Sequence, residues 1–233
     1  PTDAFIRPED ASVRDAFADA PAVTFCKTSP EYTLCEDFDD VPLPGAFAGH
    51  EVRPGRKLWI GKYGPASGAS FLISTINPGS PPEATAYLYR SFPVPANSLI
   101  LSFSIRIDAF TQGKGADFAR IVLAPDTPTV HVLTIGYRGS LELGEQFGPG
   151  LGTYIGHTAS SSPKVGEWAR LVVTLSPSNH VIQATLDGNV VLNEPIDTTW
   201  EPANHRVQLG VSYAQGAATG WRFSYDDFTY VAK

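Results

Sequence analysis

Residues 166–193, GEWARLVVTLSPSNHVIQATLDGNVVLN, constrain the fold more than any other stretch of the chain. Leu171, Val173 and Leu175 share one side of a period-2 run, opposite Trp168, Arg170 and Thr174, with Val172 apolar on that second side too. Side chains of a strand alternate between faces, so such a run specifies one buried face. Ser176-Pro177-Ser178-Asn179 then turns the chain, and Ile182, Ala184 and Leu186 repeat the pattern with Gln183, Thr185 and Asp187 outward. Asp187-Gly188-Asn189 supplies residues that tolerate positive φ at a hairpin, and Val190–Leu192 returns. Three consecutive antiparallel strands with one apolar face need a second sheet to cover them.

The same alternation recurs along the chain. Leu99, Leu101, Phe103, Ile105 and Ile107 point inward, with Ser102, Ser104, Arg106 and Asp108 outward. Ala84–Phe92 places Tyr87 and Tyr89 on one face and Leu88, Arg90 and Phe92 on the other. Further strands are expected at Lys57–Ile60, Ser70–Ile76, Asp117–Leu123, Thr129–Tyr137 and Ser140–Leu143. Glu201–Tyr213 holds another, with Val207, Leu209, Val211 and Tyr213 in phase, and Phe223–Val231 is the last. Gly144–Ser162 reads as a long Gly/Ser-rich loop carrying Phe147, Tyr154 and His157. The sum is roughly eleven to thirteen strands and no helix beyond ~10 residues, an all-β fold of two antiparallel sheets. At 233 residues, with 21 Gly and 20 Pro to make tight turns, residues 26–233 fit one sandwich domain. Residues 1–25 are polar and weakly periodic, an arm or linker. No apolar run approaches the ~18 residues of a membrane span. A net charge of −7 disfavours nucleic acid and anionic membrane surfaces as partners.

Cys26 and Cys35 are the two cysteines. A disulfide closing a small loop and a pair of free buried thiols both suit this spacing. The disulfide is preferred, because an excursion between them brings the chain back on itself, and it implies an oxidising compartment. A secretion signal, expected of such a protein, would lie upstream of Pro1.

The G-x-W, the alternating strand, the polar turn and the second strand ending in Asp187-Gly188 resemble the concanavalin A-like and laminin-G-like jelly-roll sandwiches, in particular those of secreted bacterial or cell-surface proteins. Leu34–Val41, LCEDFDDV, resembles the first strand of those families, whose partner is the last strand. The resemblance leaves the chemistry open, since the fold carries lectins, adhesins, glycoside hydrolases and polysaccharide lyases. The laminarinase-like hydrolases hold E-x-D-x-x-E on the strand that Val130–Tyr137 occupies here by order, and this strand has no carboxylate. Glu142 and Glu145 follow, on opposite faces of a strand. The alginate-lyase-like members use an Arg-rich strand, a Gln-x-His and a Tyr. Arg90, Arg106, Arg120, His131 and Tyr137 are of the right types, in contexts that do not match. The leading expectation is therefore non-catalytic glycan binding or adhesion. A divergent lyase or hydrolase and a structural protein-binding module are the alternatives.

Two sites follow. Arg106 and Arg120, with Tyr87 or Tyr89, are expected to line a ligand groove with Trp59 and Tyr154 at its rim. Arginine forks match carboxylate or sulfate geometry, so an acidic glycan is the favoured ligand. In the last strand the apolar phase changes from Trp221, Phe223 and Tyr225 to Phe228 and Tyr230, which a bulge at Asp226-Asp227 would produce. The resemblance to laminarinase-like proteins implies a structural calcium there, held by Asp226 with help from Asp39 and Asp40 of the first strand. An ordinary edge with solvated acids is the competing account.

Overall fold

The run through Leu171, Val173 and Leu175 finds its neighbours on both sides in the computed structural model, which describes residue 26 and residues 31–39, 42–62, 70–81, 85–215 and 219–233. Trp168–Ser176 (β11) pairs antiparallel with Val181–Leu186 (β12), and β12 with Asn189–Pro195 (β13). The hairpin between them turns on Asp187 and Gly188, at φ 49° and 80°. On its other side β11 pairs with Leu99–Ala109 (β6), then come Trp221–Ala232 (β15), Ser70–Ile76 (β4) and Arg56–Lys62 (β3). Leu34–Glu36 (β1) joins the same eight-stranded sheet through β15, with Leu34 opposite Tyr230, so the first and last strands lie side by side.

Among the described residues the second sheet has seven strands. In order they are Thr153–Thr158 (β10), Leu141–Phe147 (β9), His131–Tyr137 (β8), Ala116–Leu123 (β7), His205–Ala214 (β14), Ala86–Phe92 (β5) and Gly49–Val52 (β2). The two sheets pack face to face over one core, a jelly-roll sandwich. Its centre is aromatic: Phe103 meets Phe118 and Phe228, and Phe118 meets Phe223, at centroid separations of 5.3–6.4 Å. Cys26 and Cys35 form a disulfide at a Cα separation of 5.5 Å.

Two details differ from the sequence reading. Residues 144–162 are not one loop. β9 continues to Phe147, a single 3-10 turn reverses the chain, and β10 pairs back along it. Its polarity is that of an edge strand with no apolar face to bury. Tyr213 leaves the phase of Val207, Leu209 and Val211: a bulge follows Gly210 (φ 117°), so Ser212 and Ala214 are buried and Tyr213 faces solvent. The expected arm, residues 1–25, lies outside the described residues, as does Asp40.

Candidate functional site

The outer face of the second sheet gathers the polar side chains. Its central strands place one residue each in a cross-strand row: Tyr89 on β5 lies opposite Gln208 on β14, Gln208 opposite Arg120 on β7, and Arg120 opposite Thr134 on β8. Directly opposed residues stand about 5 Å apart on one face, so these side chains meet. The row is short of partners. Gln208 Oε1 and Arg120 Nε are buried without a hydrogen bond, and Tyr89 is part-buried beside them. Buried polar atoms are almost always paired, so orphans clustered on one face point to a polar ligand. Arg206, in the next row, lays its guanidinium 5.6 Å from the Tyr89 ring centroid.

Both flanks of this row carry a tyrosine bound to a glutamate. Beside it, a depression of ≈ 280 Å³ is lined by Glu51, Arg53, Thr85, Tyr87, Arg120, Ser212 and Tyr213. There the Tyr87 hydroxyl donates to Glu51 Oε2 at 2.7 Å, while Thr85 and Arg53 donate to Oε1 at 3.0 and 2.9 Å. The bond from Tyr87 holds the Glu51 carboxyl below its usual range, so it is ionised. Burial, reinforced by that carboxylate, pushes the Tyr87 phenol up to about 12. On the far side the Tyr154 hydroxyl donates to Glu142, and burial with that bond raises the Tyr154 phenol as well. Arg138 lies 5.7 Å from the Tyr154 ring centroid and pairs with Asp117 at 3.1 Å and Glu142 at 3.4 Å. Asp117 also accepts from Arg120 at 2.9 Å. Glycines make room for the rings. A Cβ on Gly49 would sit 2.7 Å from the Tyr89 ring, and one on Gly144 2.5 Å from that of Tyr154.

Of the residues expected in one groove, Arg120, Tyr87, Tyr89 and Tyr154 share this face. Arg106 and Trp59 do not. β6 and β7 are consecutive but lie in different sheets, and outward residues of opposite sheets point in opposite directions. Arg106 instead bonds Asp108 at 2.5 Å and covers the rings of Trp168 and Phe71. Trp59, beside Arg222, helps line a larger hollow of ≈ 580 Å³ with Leu43, His50 and Val52. That hollow is a seam between edge strands β2 and β3, away from the row. Nor do His131 and Tyr137 reach the face. Tyr137 packs edge-on against Phe110 in the core, and His131 sits at the strand end between the Thr129 carbonyl and the Thr199 hydroxyl, each at 2.9 Å. Glu142 faces outward and Glu145 inward, where it bonds His157 at 2.7 Å, so the two acids do not converge. Sequence reading missed Gln208, Glu51, Asp117, Arg138 and Arg206. Gln208 carried a signal, a polar residue alternating with Val207 and Leu209.

A second cluster sits where β1 meets β15. The register of β15 against β6 shifts after Asp226, and Asp227 adopts φ 49°. Asp226 is fully buried. Its Oδ1 accepts from the Asp227 N–H at 2.9 Å, and its Oδ2 has no partner. Burial first, then Asp227, Asp39 and Asp37, push its carboxyl up to about 8. Arg170 faces this cluster and donates to the Asp227 carbonyl at 2.7 Å. An orphaned, buried carboxylate oxygen suits a hard cation such as calcium. No three His, Cys, Asp or Glu side chains among the described residues are disposed to hold an ion by themselves, so backbone oxygens would have to complete the set.

No protein-family model matches the sequence, and no curated protein is similar to it in sequence. Solved structures are similar in fold. The endo-beta-1,4-glucuronan lyase of the fungus Trichoderma reesei superposes with a TM-score of 0.68 at 14% identity, covering 87% of this chain and 96% of that one. Alginate lyase vAL-1 from Chlorella virus gives 0.58 at 10%, covering 75% and 89%. The binding domain of Paraclostridial Mosquitocidal Protein 1 gives 0.57 at 11%, covering 87% and 49%. At such identities the likeness defines the fold, and function has to be argued from the site.

Proposed function

We propose that this chain is a polysaccharide lyase that cleaves uronate-containing polysaccharide by β-elimination on the outer face of its second sheet. The observation that carries the proposal is the Tyr89–Gln208–Arg120 row with its unpaired Gln208 Oε1 and Arg120 Nε. The lyases among the similar structures support it. In this reading Arg120 and the Gln208 Nε2 hydrogens donate to the uronate carboxylate, and Gln208 Oε1 accepts from a sugar hydroxyl. Neutralising that group acidifies the adjacent ring C–H. Tyr89, reacting as its phenolate, takes this proton, the C–H electron pair becomes the ring double bond, the glycosidic C–O bond breaks, and the phenol returns the proton to the departing oxygen. Tyr87, bound to Glu51, keeps its proton and serves in positioning.

We infer a secreted or cell-surface location, which the disulfide supports, since such bonds persist in oxidising compartments. Calcium at Asp226, with Asp39 from the segment after the first strand, belongs to the same proposal as a structural ion. No chemical step involves it.

The test is the ultraviolet absorbance of the unsaturated product, measured on a panel of uronate polymers. Wild type should generate it, and Tyr89→Phe should reduce kcat about 10²–10⁴-fold, the usual contribution of a positioned proton-transfer group. Binding without absorbance on every uronate polymer would overturn elimination and leave a glycan-binding face, the reading to which the similar binding domain gives support.

A further inference from the structure

We propose, resting on the same face but not on turnover, that it accepts an isolated uronate between neutral sugars. The ligand class is then a heteropolysaccharide in which uronates alternate with uncharged residues, rather than a polyuronate. The juxtaposition that carries this is Arg120 at the centre with a Tyr–Glu pair on either side, Glu51–Tyr87 and Glu142–Tyr154.

Charge along the face decides which sugars fit where. A polyuronate lays one carboxylate on every subsite and needs a cation at each. The face instead has four arginines, Arg53, Arg120, Arg138 and Arg206, against three carboxylates, Glu51, Asp117 and Glu142. Arg53 is paired with Glu51, Arg138 with Asp117 and Glu142, and Arg120 with Asp117. The excess is one positive charge, and it falls at the centre, on Arg206 beside Tyr89. A uronate placed over Glu51 or Glu142 meets a fixed like charge, a repulsive element of the kind that sets specificity.

The same carboxylates suit neutral sugars. An ionised carboxylate only accepts hydrogen bonds, and sugar hydroxyls are donors. Glu51 has three donors on about four acceptor sites, leaving one open. Glu142 Oε2 accepts from no described residue, its only donors being on Oε1. The tyrosines that hold the two acids are partly exposed, so they offer apolar ring surface to the C–H groups of a pyranose at the same flanks. Glu51 and Glu142 lie on strands β2 and β9, five strand spacings apart, or roughly 24 Å. That length takes several sugar units, with the central arginines between the acids.

The experiment compares binding of wild type, Glu51→Gln and Glu142→Gln by calorimetry. The ligands are alginate and polyglucuronate, in which every sugar is acidic, and hyaluronan and unsulfated chondroitin, in which uronate alternates with a neutral sugar. Wild type should prefer the alternating polymers by about tenfold or more. Each glutamine variant keeps the side-chain shape, so it should tighten binding of the polyuronates and shrink that ratio severalfold. Equal or tighter polyuronate binding by wild type, or a ratio unmoved by both variants, overturns the proposal. The wild-type ratio alone tests it if a variant fails to fold. Product absorbance is recorded separately. Loss of the lyase reading would appear there while the binding ratio still stands or falls on its own.

Discussion

The outer faces of the two sheets are built from similar residues and solve opposite problems. On the first sheet Arg106 bonds Asp108 and lies over Trp168 and Phe71, while Ser224 and Arg222 reach the other Asp108 oxygen at 2.5 and 3.6 Å. Arg106 and Arg222 each have an acid and a ring. On the second sheet Arg120 and Gln208 are placed as carefully, yet each keeps a buried polar atom unpaired. A face whose polar groups satisfy one another stabilises the fold, whereas orphaned groups cost stability unless a ligand completes them. Composition alone does not separate the two faces. Closure of the hydrogen bonds does.

The sharpest way to break this comparison is the pair Arg120→Ala and Arg106→Ala. The first should lower kcat/KM on the best uronate polymer about 10²–10³-fold, as expected for loss of a preorganised cation at developing charge. The second should leave it within about twofold. Equal losses, measured from the same absorbance traces, would mean that the wrong sheet has been assigned the site.

The next largest effect tests the exception on the first sheet, the buried Asp226. Its folded pKa, about 8, lies above the ordinary carboxylate value of 3.8. The sign follows from linkage: without a cation, its contribution is fully present below pH ~4 and is lost as pH rises towards 8. In chelator, Asp226→Asn should therefore raise Tm at pH 8 by roughly 5 °C or more and do little at pH 4. Added calcium should raise Tm of the wild type and not of the variant, because an ion that binds only the folded state stabilises it. Melting curves indifferent to calcium, chelator and this substitution alike would remove the site.

Smaller still is the disulfide, which ties down β1 and so belongs to the first sheet alone. For a loop of this length, the Cys26→Ser, Cys35→Ser pair should cost about 2–3 kcal/mol in denaturant melts. Polymer affinity at 25 °C should not change, and a parallel loss of affinity would couple the faces. Arg106→Ala should show the smallest effect, about 1 kcal/mol or ~2–4 °C in Tm, the value of a cation stacked on two rings.

Period-2 alternation made most strands legible in the sequence, because which side chains are buried is a local property of an extended chain. Leu171, Val173 and Leu175, the Asp187-Gly188 hairpin, the Asp226-Asp227 bulge and the pairing of the first and last strands could all be read or inferred there. The arm at residues 1–25 and the ligand role of Asp40 lie outside the described residues. Alternation fails where a bulge resets the phase, as at Tyr213, or where an edge strand buries neither face, as at Thr153–Thr158. What only the tertiary structure decided is which outward residues meet. Tyr89, Arg120 and Gln208 come from strands far apart in sequence, and their row exists because β14 inserts between β5 and β7. Arg106 and Arg120 look equivalent in sequence, yet the chain changes sheets between them. Local pattern sets the face a side chain takes within its own strand, and long-range pairing sets the company it keeps.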